Sequence, residues 1–176
     1  MMREEYLPEL LNALKAAGIN FAAGLPDSWL RNVNQAVEKD PHFKYVPVCN
    51  EWVGYCACVG AWLGGKKPVL IMENSGIRTA AEPIARMSFH SGGGGGNHGM
   101  ATLILMSYRG DLGDTEFWTI GHAITCEPFL KALRVPYFVV RDAKDLRKSI
   151  IRAARTAFAF VTPTAVVISG DLVMAD

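Results

Sequence analysis

Six short apolar runs, each separated from the next by a segment of helical period, constrain this chain more than any other feature. They fall at 20–23, 44–48, 68–72, 101–106, 136–140 and 164–168. Apolarity within them is continuous, as in Thr102-Leu103-Ile104-Leu105, rather than alternating. Continuous runs indicate strands covered on both faces, which occur almost only in parallel sheets flanked by helices. The intervening segments read as helices. Residues 4–17 carry Leu7, Leu10, Leu11 and Leu14 at helical spacing, and Gly18 stops them. Asp27 or Ser28 is placed to cap a helix running to about residue 38. Asn50 opens a strongly apolar helix through Leu63, closed by Gly64-Gly65. Ser75-Gly76 turns into a helix reaching about residue 87, and 120–133 and 143–159 supply two more. Crossovers between parallel strands are right-handed by default. The expected fold is α/β and doubly wound: a six-stranded parallel sheet with helices on both faces.

Length and charge narrow the classes. The 176 residues suit one domain, expected to span 1–176 without an internal repeat. Half the residues are hydrophobic, enough for a substantial core and too many for a disordered chain. Eighteen Lys and Arg against 17 Asp and Glu give a net charge of +1, which argues against a nucleic-acid binder. No apolar run reaches the roughly 18 residues of a membrane span. The acidic start, 1–11, has no apolar stretch of signal-peptide type, so a cytoplasmic protein is expected. Cys49, Cys56, Cys58 and Cys126 include no CxxC pair and read as reduced, buried thiols. The stretch 91–99, with five consecutive glycines, reads as a mobile loop within 89–99, either a lid or the replacement of a longer segment.

Ligands of open parallel sheets bind beyond the carboxyl ends of the strands. That selects the loops 24–28, 49–52, 73–78 and 107–114. Gly24-Leu25-Pro26-Asp27-Ser28 suits a close backbone approach, and Asn74-Ser75-Gly76 offers N–H groups at a helix start, a ready anion site. Neither is a phosphate loop, since GxGxxG and GxxxxGK[ST] are both missing. Glu51 stands out as a carboxylate opening a helix whose next residues are Trp52, Val53, Tyr55 and Cys56. It is either a dipole-favoured terminal charge or a partly buried proton donor to a ligand nitrogen. His42, His90, His98 and His122 form no metal-ligand spacing, so no metal site is expected in this chain. His42 reads as a surface residue, and His90 and His98 flank the glycine run. His122, at a helix start, is a capping residue or a functional one. A Ser-His-Asp hydrolase lacks its GxSxG elbow here.

Five of these segments form one ordered series: Gly24-Leu25-Pro26-Asp27-Ser28, Asn50-Glu51, Gly65-Lys66-Lys67-Pro68-Val69, Glu73-Asn74-Ser75-Gly76 and Ser107-Tyr108-Arg109-Gly110. The series resembles the pyrimidine-binding domain of thiamine-diphosphate-dependent 2-oxo acid decarboxylases, in particular alpha subunits of sulfopyruvate decarboxylase and phosphonopyruvate decarboxylase. The resemblance implies that Glu51 activates the cofactor aminopyrimidine by sharing a proton with its ring nitrogen, with His122 a second catalytic candidate. It implies cofactor contacts at Gly24, Pro26, Asn74, Ser75 and Gly76, and substrate contacts at Asp27, Ser28, Arg78 and Arg109. Arg78 departs from the small residue of the relatives; it pairs either with an anionic substrate tail or with Glu82 one turn on. Ser169-Gly170-Asp171 is read as a strand-end turn, not a metal motif. The diphosphate and its Mg²⁺ would therefore be held by a beta subunit, in a hetero-oligomer acting on a small 2-oxo acid. A non-catalytic or regulatory relative that kept the fold is the alternative, as is a nucleotide-binding domain.

Overall fold

The computed structural model describes residues 1–89 and 99–173. Six strands pair in parallel in the order β2-β1-β3-β4-β6-β5. The elements are α1 (Leu7–Ala16), β1 (Phe21–Gly24), α2 (Arg31–Lys39), β2 (Lys44–Pro47), α3 (Glu51–Leu63), β3 (Pro68–Glu73), α4 (Gly76–Phe89), β4 (Leu103–Ser107), α5 (Ile120–Ala132), β5 (Tyr137–Val140), α6 (Leu146–Phe160) and β6 (Thr164–Ile168). This is the doubly wound α/β sheet that the pattern of runs predicts.

Alternate side chains of each central strand feed two separate cores. Val69 and Ile71, Leu103 and Leu105, and Val166 and Ile168 face Leu10 and Leu14 of α1, Val33 and Val37 of α2, and Ile150 of α6. Leu70 and Met72, Ile104 and Met106, and Ala165 and Val167 face Tyr55 and Cys58 of α3, Ile77 and Ile84 of α4, and Leu130 of α5. The central strands thus need apolar residues at every position, which is why their runs do not alternate. The edge strands β2 and β5 are only partly covered, so continuous burial holds for the centre of the sheet and not for its margins.

Local differences from the sequence reading have local causes. The expected helix after Gly24 begins only at Arg31, because Asp27 Oδ1 accepts from the backbone N–H of Trp29 (2.6 Å) and Leu30 (3.0 Å) and folds a separate turn. Ala101 and Thr102 precede β4, whose ladder runs on to Ser107 opposite Glu73 and Ile168. All four cysteines are free. Only Cys58 and Cys126 are buried, with thiols pushed up to about 12 by burial. Cys49 is exposed, because it sits in the loop after edge strand β2. Residues 169–171 form a short turn after β6. The glycine run, with His90 and His98, lies outside the described residues.

Candidate functional site

The sheet order reverses between β1 and β3: one direction runs to β2, the other to β4, β6 and β5. At such a switch point the two following loops diverge and leave a crevice beyond the strand ends. Here those loops are 25–30 and 74–75. The loop after β4, 108–119, closes the third side.

Glu51 is the first residue of α3. Asn50, in extended conformation, caps the helix by accepting from Val53 N (2.8 Å). Only 8% of Glu51 is exposed. None of the hydrogen bonds or ion pairs among the described residues uses its carboxylate, so its acceptor capacity is unspent. The side chain lies against the start of α4: a Cβ built on Gly76 would come within 2.6 Å of Glu51 Oε1. An alanine at 76 would have to displace the Glu51 side chain.

A cavity of about 710 Å³ opens on the other end of the same β3–α4 turn, lined by Ser28, Trp29, Glu73, Arg109, Asp114 and Trp118 among others. Arg109 organises it. Its guanidinium donates from Nε to Asp114 Oδ2 (2.8 Å) and from Nη2 to Asp114 Oδ1 (3.4 Å), bonds Ser28 Oγ, and lies 4.9 Å from the centre of the Trp29 ring. Three of its five N–H donors are thereby engaged, and two remain for an anion in the cavity. Its backbone is clamped by Asn74, which donates to Arg109 O (3.0 Å) and accepts from Arg109 N (3.1 Å). Asn74 is fully buried in this role. Asp114 also accepts from Gly110 N (2.8 Å), Glu116 N (3.1 Å) and Thr119 Oγ1 (3.1 Å). Burial alone would raise this carboxyl, but Arg109 and the N–H donors hold it down at about 2.

Asp27 behaves oppositely. Burial pushes it up to about 6, against its two backbone donors; the charge of Glu73 adds to the rise and that of Arg109 opposes it. Its Oδ1 caps the turn, while its Oδ2 is buried without a hydrogen-bond partner. Beside it, Glu73 Oε1 accepts from Ser75 Oγ at 2.6 Å and lies 3.1 Å from His122 Nδ1.

The remaining expected site residues are distributed unevenly. Pro26 is exposed on the rim. The space beside Gly24 is taken by this chain's own Asn34 and by Tyr45, whose Oη would lie 2.6 Å from a Cβ there. The N–H groups of Ile77 and Arg78 are used within the turn, by Asn74 O and Ser75 O. Arg78 does not pair with Glu82. It donates to Thr125 Oγ1 (3.2 Å) and Gly121 O (3.4 Å) on α5, while Glu82 pairs with Arg86 at 2.6 Å. Glu73 and Asp114 were not singled out by the sequence, although the glycines at 110 and 113, both with positive φ, mark the tight loop that delivers Asp114. Among the described residues no group of three or more His, Cys, Asp or Glu could hold a metal ion, and no helix is long and apolar enough to cross a membrane.

An apolar surface adjoins the cavity. Leu112, Phe117, Trp118, Ile120 and Ile124 are 59–91% exposed, and Trp52 and Val53 beside Glu51 are each 43% exposed.

No family model matches the chain. Among curated proteins it is similar to the sulfopyruvate decarboxylase subunit alpha of Methanocaldococcus jannaschii, 28% identical over 158 residues, which are 89% of this chain and 88% of the relative. The subunit alpha of Methanothermobacter thermautotrophicus is 29% identical over 78% of this chain and 79% of its own. Phosphonopyruvate decarboxylase of Streptomyces viridochromogenes is 32% identical over 79 residues, 45% of this chain but 20% of that longer protein. The resemblance to sulfopyruvate decarboxylase alpha subunits thus runs along nearly the whole chain. Among solved structures, 2-oxoglutarate:ferredoxin oxidoreductase from Magnetococcus marinus superposes with a TM-score of 0.67 at 16% identity, over 98% of this chain and 29% of that one; it shares the fold.

Proposed function

We propose that this chain is the alpha subunit of a thiamine-diphosphate-dependent sulfopyruvate decarboxylase, converting sulfopyruvate to sulfoacetaldehyde and carbon dioxide. The observation that carries the reading is the Glu51 carboxylate, nearly buried, without a hydrogen bond or ion pair among the described residues, and seated on the bare backbone of Gly76 at a sheet switch point. The alpha-subunit relatives support it.

The residues fit the aminopyrimidine end of that cofactor. Glu51 would hold a proton at the ring nitrogen of the pyrimidine, and Gly76 leaves the room its side chain needs. Thiamine diphosphate, when bound, supplies the electron sink that lets a 2-oxo acid lose carbon dioxide. The two spare N–H donors of Arg109, with the hydroxyl of Ser28, would orient an anionic group of the substrate in the cavity. Asp27, next to Ser28 and pushed up to about 6 by burial, adds less negative charge near that anion than an ordinary carboxylate would. Glu73, Asp114 and Glu116 also line the cavity, so further positive charge for a dianionic substrate would come from the partner. We assign the diphosphate and Mg²⁺ to a beta subunit that covers Leu112, Phe117, Trp118 and Ile120.

The test combines calorimetry with turnover. The chain alone should bind thiamine diphosphate at about millimolar or weaker, roughly 4 kcal/mol. With the beta subunit and Mg²⁺, tight binding and decarboxylation should appear together, and Glu51→Gln should lower turnover by about 10²-fold or more. Micromolar binding or turnover by the chain alone, or near-normal turnover of Glu51→Gln, refutes the reading.

A further inference from the structure

Glu73, on the cavity wall, has His122 beside it, and the arrangement of the two side chains has a chemical consequence of its own. Glu73 ends β3 and His122 lies in the first turn of α5, 49 positions later. His122 Nδ1 is sealed from solvent, and no hydrogen bond with acceptable alignment reaches it among the described residues. The Glu73 Oε1 atom is nonetheless only 3.1 Å away, and the same oxygen is fixed from its other side by Ser75 Oγ at 2.6 Å. A buried ring nitrogen beside a carboxylate and without another partner is satisfied when it carries the proton and donates it. Misaligned hydrogen bonds of this length in a ligand-free site tighten in the complex. The helix that bears His122 is itself restrained: Arg78 of α4 reaches Thr125 Oγ1 and Gly121 O, and Thr125 Oγ1 bonds Gly121 O at 2.8 Å.

We propose that Glu73 is a positioning residue: it fixes the His122 ring with a protonated Nδ1 against its carboxylate. Nε2, with its lone pair, is then the ring atom able to accept a proton. Ser75 sets the carboxylate, the carboxylate sets the tautomer, and the tautomer decides which ring atom does the chemistry. The use made of that atom rests on the decarboxylase reading; the tautomer does not.

The experiment is a long-range proton–nitrogen correlation spectrum of the full chain labelled with ¹⁵N-histidine, recorded at mildly alkaline pH where imidazoles are neutral. Loss of one signal set in His122→Gln identifies the residue. The wild-type chain should show His122 as the Nδ1–H tautomer, against the Nε2–H form that free neutral imidazole prefers. Glu73→Ala should return it to Nε2–H. Glu73→Gln, whose amide oxygen can accept the same proton, should retain Nδ1–H. A wild-type His122 in the Nε2–H form overturns the proposal without need of any variant, and so does an unchanged tautomer in a folded Glu73→Ala chain. In the complex with the beta subunit, Glu73→Ala should lower kcat about tenfold or more while KM changes less than about twofold, with Glu73→Gln restoring most of the rate. A correct tautomer in a complex that decarboxylates nothing would leave the pair standing and remove the function assigned to it.

Discussion

Asp27→Asn isolates the cost of keeping one carboxyl at the sheet end. The native carboxyl titrates near 6 against an ordinary 3.8. Between those values the folded chain holds a proton that the unfolded chain has released, so stability falls as pH rises through that window. The full displacement corresponds to about 3 kcal/mol. Asp27 is partly exposed, and solvent screening reduces the figure to about 1–2 kcal/mol. Asparagine keeps the Oδ1 that accepts from Trp29 and Leu30, and it cannot ionise. Its Nδ2 replaces an oxygen that is already without a partner, a cost that does not vary with pH. Urea unfolding of both chains at pH 4.5 and pH 7.5 gives the assay. The stability of Asp27→Asn relative to wild type should rise by about 1–2 kcal/mol between the two pH values. The opposite pH dependence of Asp114 and Asp111, both held low, is common to both chains and cancels. A difference that stays constant across the range would show that Asp27 is not a raised carboxyl.

Other perturbations separate the parts of the site. Gly76→Ala places a methyl group on Glu51 and should cost about 1–3 kcal/mol by overpacking, with loss of turnover in the complex; thermal unfolding and kinetics read both. Arg109→Met takes the guanidinium from Asp114, whose carboxylate keeps the N–H groups of Gly110 and Glu116 and the Thr119 hydroxyl, and should destabilise the chain by about 1–3 kcal/mol in urea unfolding. Replacing Phe117 and Trp118 together by serine should leave the fold unchanged, since both are exposed, while weakening association with the beta subunit at least tenfold in sedimentation or calorimetry.

The sheet was legible because its central strands are buried on both sides, and burial on both sides writes an unbroken apolar run. Glu51 was legible for a related reason: Asn50 is a good cap, and a carboxylate among Trp52, Val53 and Tyr55 is out of place unless used. The Glu73–His122 pair was not legible, because it depends on β3 lying next to β4 and on the path of the chain after it. Asp27 was visible as a residue but not as an acid near 6, since that follows from the burial of one oxygen. Arg78 was read as the partner of a substrate anion or of Glu82; its partners on α5 come from helix packing, which no local pattern encodes.

The rim of the crevice is tied by side chains and not by the strand ladder. Asp27 gathers the amides of Trp29 and Leu30, Asn74 takes both backbone groups of Arg109, and Asp114 takes the amides of Gly110 and Glu116. Each loop is thus set by one short polar residue lying outside the apolar cores. An inherited change at any one of the three would reshape one wall and leave the sheet, and the helix that carries Glu51, untouched. A lineage built on this plan can alter what it admits to the crevice in single mutational steps, while Glu51 stays where it is.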